Sequence, residues 1–174
     1  MTTTNQDLAI AIYDRHGLAE EAVKRLQHAG FDMKRISIVA KDYETEEHVV
    51  GYLNAGDRAK IYGKFGAVWG ALVGVLFGSA LLFIPVVGHI VVLGPLAATL
   101  VEGVAGAAVV GGTSALVGAL SSLGIPRNSV LRYETALKAN RFLLVVHGTA
   151  DEIERARELL KATGAESIDS HATA

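Results

Sequence analysis

The sequence predicts an α+β protein, a ferredoxin-like βαβ–βαβ sandwich that is split by an inserted apolar glycine-zipper helical hairpin. Near both ends of the 174-residue chain the same order recurs: strand, short polar turn, amphipathic helix, glycine, strand. Between Lys64 and Arg127 the only formally charged residue is Glu102. We therefore expect five parts: a first βαβ half (1–42), a polar linker (43–64), the apolar hairpin (65–124), a connecting helix (125–140), and the second half with a tail (141–174).

The first half begins with a strand at residues 8–13, in which the large apolar side chains alternate with alanines. A helix follows, and Gly30 ends it in the way that a C-terminal glycine commonly does. Residues 36–40 are again apolar enough for a strand. The helix carries an apolar stripe that predicts its buried face: Ala19, Ala22, Val23 and Leu26.

The second half repeats this order of strand, helix and strand. Residues 142–146 are all apolar, as in a central strand. Thr149 and Glu152 form a capping-box pattern at the start of a helix that ends at Gly164. Residues 166–169 predict a weak edge strand. In the sandwich, the first strand of each half is central and the second lies at an edge; two independent lobes are the alternative, but each would be too small to bury a core.

Residues 125–138 predict a connecting helix, with Pro126 near its start. Val130, Tyr133 and Leu137 share one face of that helix. We expect this face to lie on the sandwich, in preference to a role as a binding helix.

The apolar insertion is long enough for two membrane crossings, at residues 66–84 and 96–123, since about 20 apolar residues span the hydrocarbon of a bilayer. Prolines and glycines between Pro85 and Pro95 predict a break between two helices that fold back on each other. Small residues at every fourth position give each helix a surface for close packing. The predicted helix-packing residues are Gly66, Gly70, Gly74, Gly78, Gly103, Ala107, Gly111, Ala115 and Ala119.

Basic residues flank the insertion on both sides, at Arg58, Lys60 and Lys64 before it and at Arg127 and Arg132 after it. Because basic residues concentrate on the cytoplasmic side, this predicts an even number of crossings. Our first hypothesis is a membrane protein with the lipid bilayer as partner, self-associating through the hairpin. Two alternatives stay open: a soluble homo-oligomer that buries the hairpins in a protein core, and a sensor with a small ligand at a dimer edge.

Catalytic signals are sparse. The chain has no cysteine, and its six histidines lack metal-ligand spacing. No Walker loop follows a strand, and a net charge of −2 does not indicate nucleic acid. His147 follows a central strand, but a surface turn histidine is the preferred interpretation over a general base. Glu102 is a possible functional acid in an apolar helix, or a first-turn residue that the helix dipole favours. We therefore predict a non-enzyme without metal or cofactor.

Four stretches carry a resemblance to a known family: Ala11-Ile-Tyr-Asp14, Ala19-Glu-Glu-Ala22, Leu26-Gln-His-Ala-Gly-Phe31 and Ile36-Ser-Ile-Val-Ala-Lys-Asp42. They resemble the N-terminal unit of bacterial general stress proteins of the heat-induced type. Residues 63–74 and the second βαβ half resemble related uncharacterised bacterial membrane proteins with a glycine-rich hairpin. The resemblance implies a stress-associated bacterial protein without assigned activity. Combined with the basic flanks, it predicts the bacterial inner membrane with both termini cytoplasmic, and the cytoplasm as the alternative.

Overall fold

The computed structural model describes residues 6–41, 84–86, 90–96 and 113–172. These residues form a mixed α/β fold around an antiparallel sheet. The strands are β1 Asp7–Tyr13, β2 Ile36–Lys41, β3 Ile84–Val86, β4 Ile90–Leu93, β5 Phe142–Gly148 and β6 Ser167–His171. The helices are α1 His16–His28, α2 Thr113–Ser122, α3 Arg127–Lys138 and α4 Ala150–Lys161, with a short 3-10 helix at Met33–Arg35.

The described strands lie in the order β3-β4-β2-β5-β1-β6, and every neighbouring pair is antiparallel. The first strands of the two halves, β1 and β5, are central, as predicted, and β6 lies at an edge. The prediction of an edge position for β2 is wrong, because β4 pairs with it and places Ile38 opposite Leu93. The sequence pattern could not identify this neighbour while residues 85–95 were interpreted as the break between two helices.

Strand alternation gives the sheet two apolar faces. On the first face Ala9 and Ala11 leave room for α1 and α4, which pack there around Tyr13. On the second face Leu8 and Ile10 pack in a separate core with α3 and the end of α2, which cover this face. The residues that close this second core from the helices are Leu120, Val130, Tyr133, Ala136 and Leu137.

Local signals for the helix ends are confirmed where the structure describes them. The Thr149 hydroxyl accepts a hydrogen bond from the Glu152 N–H at 3.3 Å, and the Glu152 carboxylate accepts one from the Thr149 N–H at 2.8 Å. This is the predicted capping box of α4. Gly164, which follows α4, has a φ of +73°, a conformation that glycine adopts without strain.

The segment around Pro85 belongs to the sheet. β3 and β4 pair as a hairpin, and Val92 is fully buried. Leu96 is buried as well, and its N–H donates to the Ser37 hydroxyl at 3.0 Å. The strands form because this stretch is rich in Ile and Val, which favour extended structure. Pro85 is tolerated because β3 is the outermost strand of the described sheet.

This pairing overturns the membrane interpretation. In the predicted topology, residues 85–95 would join two crossings at the far side of a bilayer, but the structure pairs residues 90–93 with β2 of the first half. Among the described residues no helix is long and apolar enough to cross a membrane. The predictions of a transmembrane hairpin, a lipid bilayer partner and an inner-membrane location are therefore wrong.

Most of the predicted helix-packing residues lie outside the described residues, so their packing stays a prediction. This holds for Gly66, Gly70, Gly74, Gly78, Gly103, Ala107 and Gly111, and also for the possible functional acid Glu102. Ala115 and Ala119 lie within α2, a helix of 10 residues. The division of the chain into five parts also stays a prediction.

Candidate functional site

A polar cluster joins α3 to the edge strand β6. It consists of Arg132, Tyr133, Asp169 and His171, and we call it the edge cluster. Tyr133 belongs to the buried stripe of α3. Asp169 and His171 pair with Ile10 and Leu8 of β1, which places both on the second face of the sheet.

The hydrogen bonds of the edge cluster have a definite direction. The Tyr133 hydroxyl lies 3.1 Å from Asp169 Oδ2 and 2.7 Å from His171 Nε2. A carboxylate can only accept, so the single phenolic hydrogen goes to Asp169. His171 must then donate its Nε2–H to the Tyr133 oxygen. The Arg132 guanidinium completes the cluster with an ion pair to Asp169.

The electrostatics of the edge cluster favour attachment over catalysis. Burial and then the Asp169 charge hold the pKa of Tyr133 far above its ordinary value, so its hydroxyl stays protonated and is a poor base. Burial lowers the pKa of His171, against the opposing effect of Asp169. The Tyr133 hydroxyl, Asp169 Oδ2 and His171 Nε2 are directed at one another. The cluster can hold α3 against β6, and the small-ligand sensor stays a prediction.

A second titratable group lies on the same face of the sheet. His147 is on β5, opposite Leu8, and Leu8 is also opposite His171 of β6. Burial lowers the pKa of His147 to about 4. Its Nε2 atom is buried without a hydrogen-bond partner among the described residues. The preferred interpretation of His147 as a surface turn residue is therefore wrong, because β5 continues to Gly148.

The first face has its own buried polar contact. The Tyr13 hydroxyl lies 2.7 Å from Thr163 Oγ1, and that hydroxyl donates to the Leu160 carbonyl at 2.6 Å. Since the Thr163 hydrogen is used there, Tyr13 donates to Thr163. Burial raises the pKa of Tyr13 to about 12. This contact ties the end of α4 to β1 and has no free group for chemistry.

The residues of the edge cluster do not form a sequence motif. Within the described ranges, no group of three or more His, Cys, Asp or Glu side chains could hold a metal ion. The available signal was the alternation of Asp169 and His171, which puts them on one face of a strand. The assignment of Tyr133 to the covered face of α3 was confirmed. Only the tertiary fold brings these two elements together.

No curated protein and no solved structure matches the chain. A family model, the heat induced stress protein YflT domain, matches residues 9–82. The described part of this span comprises β1, α1 and β2. This match supports a general stress protein family. It does not show the expected relationship to membrane proteins with a glycine-rich hairpin.

Proposed function

We propose that this is a non-enzymatic, stress-associated protein of the cytoplasm, which assembles into a homo-oligomer that buries its apolar insertion between subunits. The observation that carries the proposal is the way in which the insertion joins the domain. On one side β4 pairs with β2 and Leu96 enters the second core. On the other side Leu120 of α2 enters the same core. Both connections lead back to one domain.

We infer a ferredoxin-like frame for this domain. The order β2-β5-β1-β6 supports it, because the first strand of each half is central and all neighbours are antiparallel. The β3–β4 hairpin extends this frame on the β2 side. In this interpretation the apolar residues are an insertion between β2 and the second half.

The apolar composition supports assembly. Residues 65–83 and 97–112 contain one charged side chain, Glu102. Both faces of the described sheet already have helical covers. Because water does not tolerate a large contiguous apolar surface, the composition of these residues favours burial against a partner surface. A second copy of the chain supplies an equally apolar one, and small residues such as Gly74 and Ala107 allow close backbone approach.

A non-enzymatic role agrees with the chemistry of the edge cluster. Its tyrosine hydroxyl is hydrogen-bonded to Asp169 and His171 and is held protonated. A catalytic group needs a pKa near the working pH and a substrate within reach. The family match adds an association with stress.

The test is the particle mass in detergent-free buffer, measured by light scattering after size exclusion. We expect a multiple of the 18.3 kDa subunit. Ala107→Arg would place a charge in the shared core and should reduce the mass or cause precipitation. Ala139→Arg is the matched control, since Ala139 is exposed at the end of α3. A monomer in this buffer, or extraction only with detergent, would overturn the proposal.

A further inference from the structure

Helix α3 is attached to the second face in two ways. Its apolar stripe of Val130, Ala136 and Leu137 is buried on the sheet. Its polar attachment is the Tyr133 hydroxyl, which bonds both Asp169 and His171 of β6. Removal of α3 would therefore expose the second core and break the edge cluster, while α1 and α4 could stay on the first face.

His147 lies on the face that α3 covers. Its neighbours on the sheet are Leu8 and, one strand further, His171, at roughly 10 Å from the strand spacing. The described titratable and charged groups on the elements of this face are those of the edge cluster, Lys41 at the end of β2, and Arg127, Glu134 and Lys138 of α3. The α3 residues Glu134 and Lys138 pair with each other, and neither β4 nor α2 contains a charged residue.

A proton on His147 would therefore lack a counter-ion. The nearest acid of the covered face, Asp169, already accepts from Arg132 and Tyr133. A buried cation without a partner is costly, whereas water solvates it once the cover has moved away. Acid should thus favour any state in which the second face is open. On the first face, Tyr13 and Thr163 stay neutral over this range.

We propose that α3, together with the end of α2, is an acid-releasable cover of the second face, with His147 as its trigger and the edge cluster as its latch. Acidification opens one apolar side of the sheet and leaves the α1–α4 side in place. The cover is a property of the described domain and does not depend on assembly.

The chain has no cysteine, so a single cysteine introduced on either face of the sheet can be labelled without background. Val145 and Val146 are adjacent, fully buried residues of β5 that point to the second and first faces. Val145→Cys and Val146→Cys therefore report the two faces separately. The labelling rate of each thiol by iodoacetamide is divided by that of the urea-unfolded variant at the same pH, which removes the intrinsic pH dependence.

Between pH 7.5 and pH 5 we expect the normalised rate for Val145→Cys to rise about 30-fold relative to that for Val146→Cys. In a His147→Leu background the ratio should stay nearly constant, and His147→Gln provides a second, polar replacement. His28→Leu, at an exposed histidine of α1, is the control. Tyr133→Phe should raise the pH at which the ratio increases.

Two results would overturn the proposal. If both thiols become reactive together, acid unfolds the whole domain and α3 is not a separate cover. If the ratio rises equally with and without His147, that histidine is not the trigger. Circular dichroism at pH 7.5 verifies that each variant is folded before the comparison.

Discussion

The stability of the domain should fall in acid because of His147, and His147→Leu should remove much of that fall. In the fold, burial depresses the pKa of His147 to about 4, whereas its ordinary value is 6.5. The unfolded chain therefore binds a proton that the folded chain resists. A depressed histidine pKa leaves stability intact above pH 6.5 and removes it as the pH falls towards 4.

The magnitude follows from the same two values. Each tenfold difference in proton affinity is worth about 1.4 kcal/mol, so His147 should cost about 3 kcal/mol of unfolding free energy between pH 7 and pH 4. The assay is urea unfolding, followed by circular dichroism, at half-unit pH steps. Carboxylate groups also titrate in this range, so the informative quantity is the difference between the wild type and His147→Leu.

At pH 7 the leucine variant should be as stable as the wild type or more so, because it removes a buried nitrogen without a described partner. The two curves should separate below pH 6.5. His28→Leu, which changes an exposed histidine, should run parallel to the wild type. Parallel curves for His147→Leu as well would refute the reasoning, since they would mean that His147 titrates alike in both states.

Three further predictions concern single contacts. Gly94→Ala should destabilise the domain by about 3 kcal/mol in urea unfolding, because its Cβ would lie 2.2 Å from the Ile36 carbonyl oxygen at a φ of +101°; an unchanged midpoint would contradict the tight turn. Tyr133→Phe should cost about 2 kcal/mol and speed amide exchange in α3 more than in α1, whereas equal effects would argue against a latch. Thr149→Ala should lower the free energy of unfolding by about 1 kcal/mol through loss of the capping box. Thr149→Ser keeps a capping hydroxyl and should have nearly the wild-type stability in thermal melts.

The two βαβ halves could be predicted because their signals are local. Alternation in β1, the stripe of α1 and the Thr149 cap each depend on a few neighbouring residues, and all three are present as expected. The segment at residues 84–86 and 90–96 was misinterpreted because runs of Val, Ile, Gly and Pro suit a buried strand as well as a membrane helix. Only the neighbour of the segment decides, and here that neighbour is β2.

The candidate site could not be predicted for a different reason. Tyr133 and His171 are separated by 38 positions and touch only because α3 crosses the sheet towards β6. Neither residue stands in a motif. The apolar run ends at Val146, so the predicted strand ended there and His147 was expected in the turn that follows. In the structure, β5 continues to Gly148 and includes His147. A period of two carried on from Leu143 and Val145 would have put it on the covered face.

The register of β5 has a consequence for folding during synthesis of the chain. Ile36 lies opposite Val146, and both described neighbours of β1 come from the C-terminal half. On the ribosome, β1 and β2 therefore emerge long before the strand that joins them, and closing so wide a loop is slow. The apolar insertion is synthesised during this wait. Cells making this chain should depend on chaperones that shield nascent apolar segments.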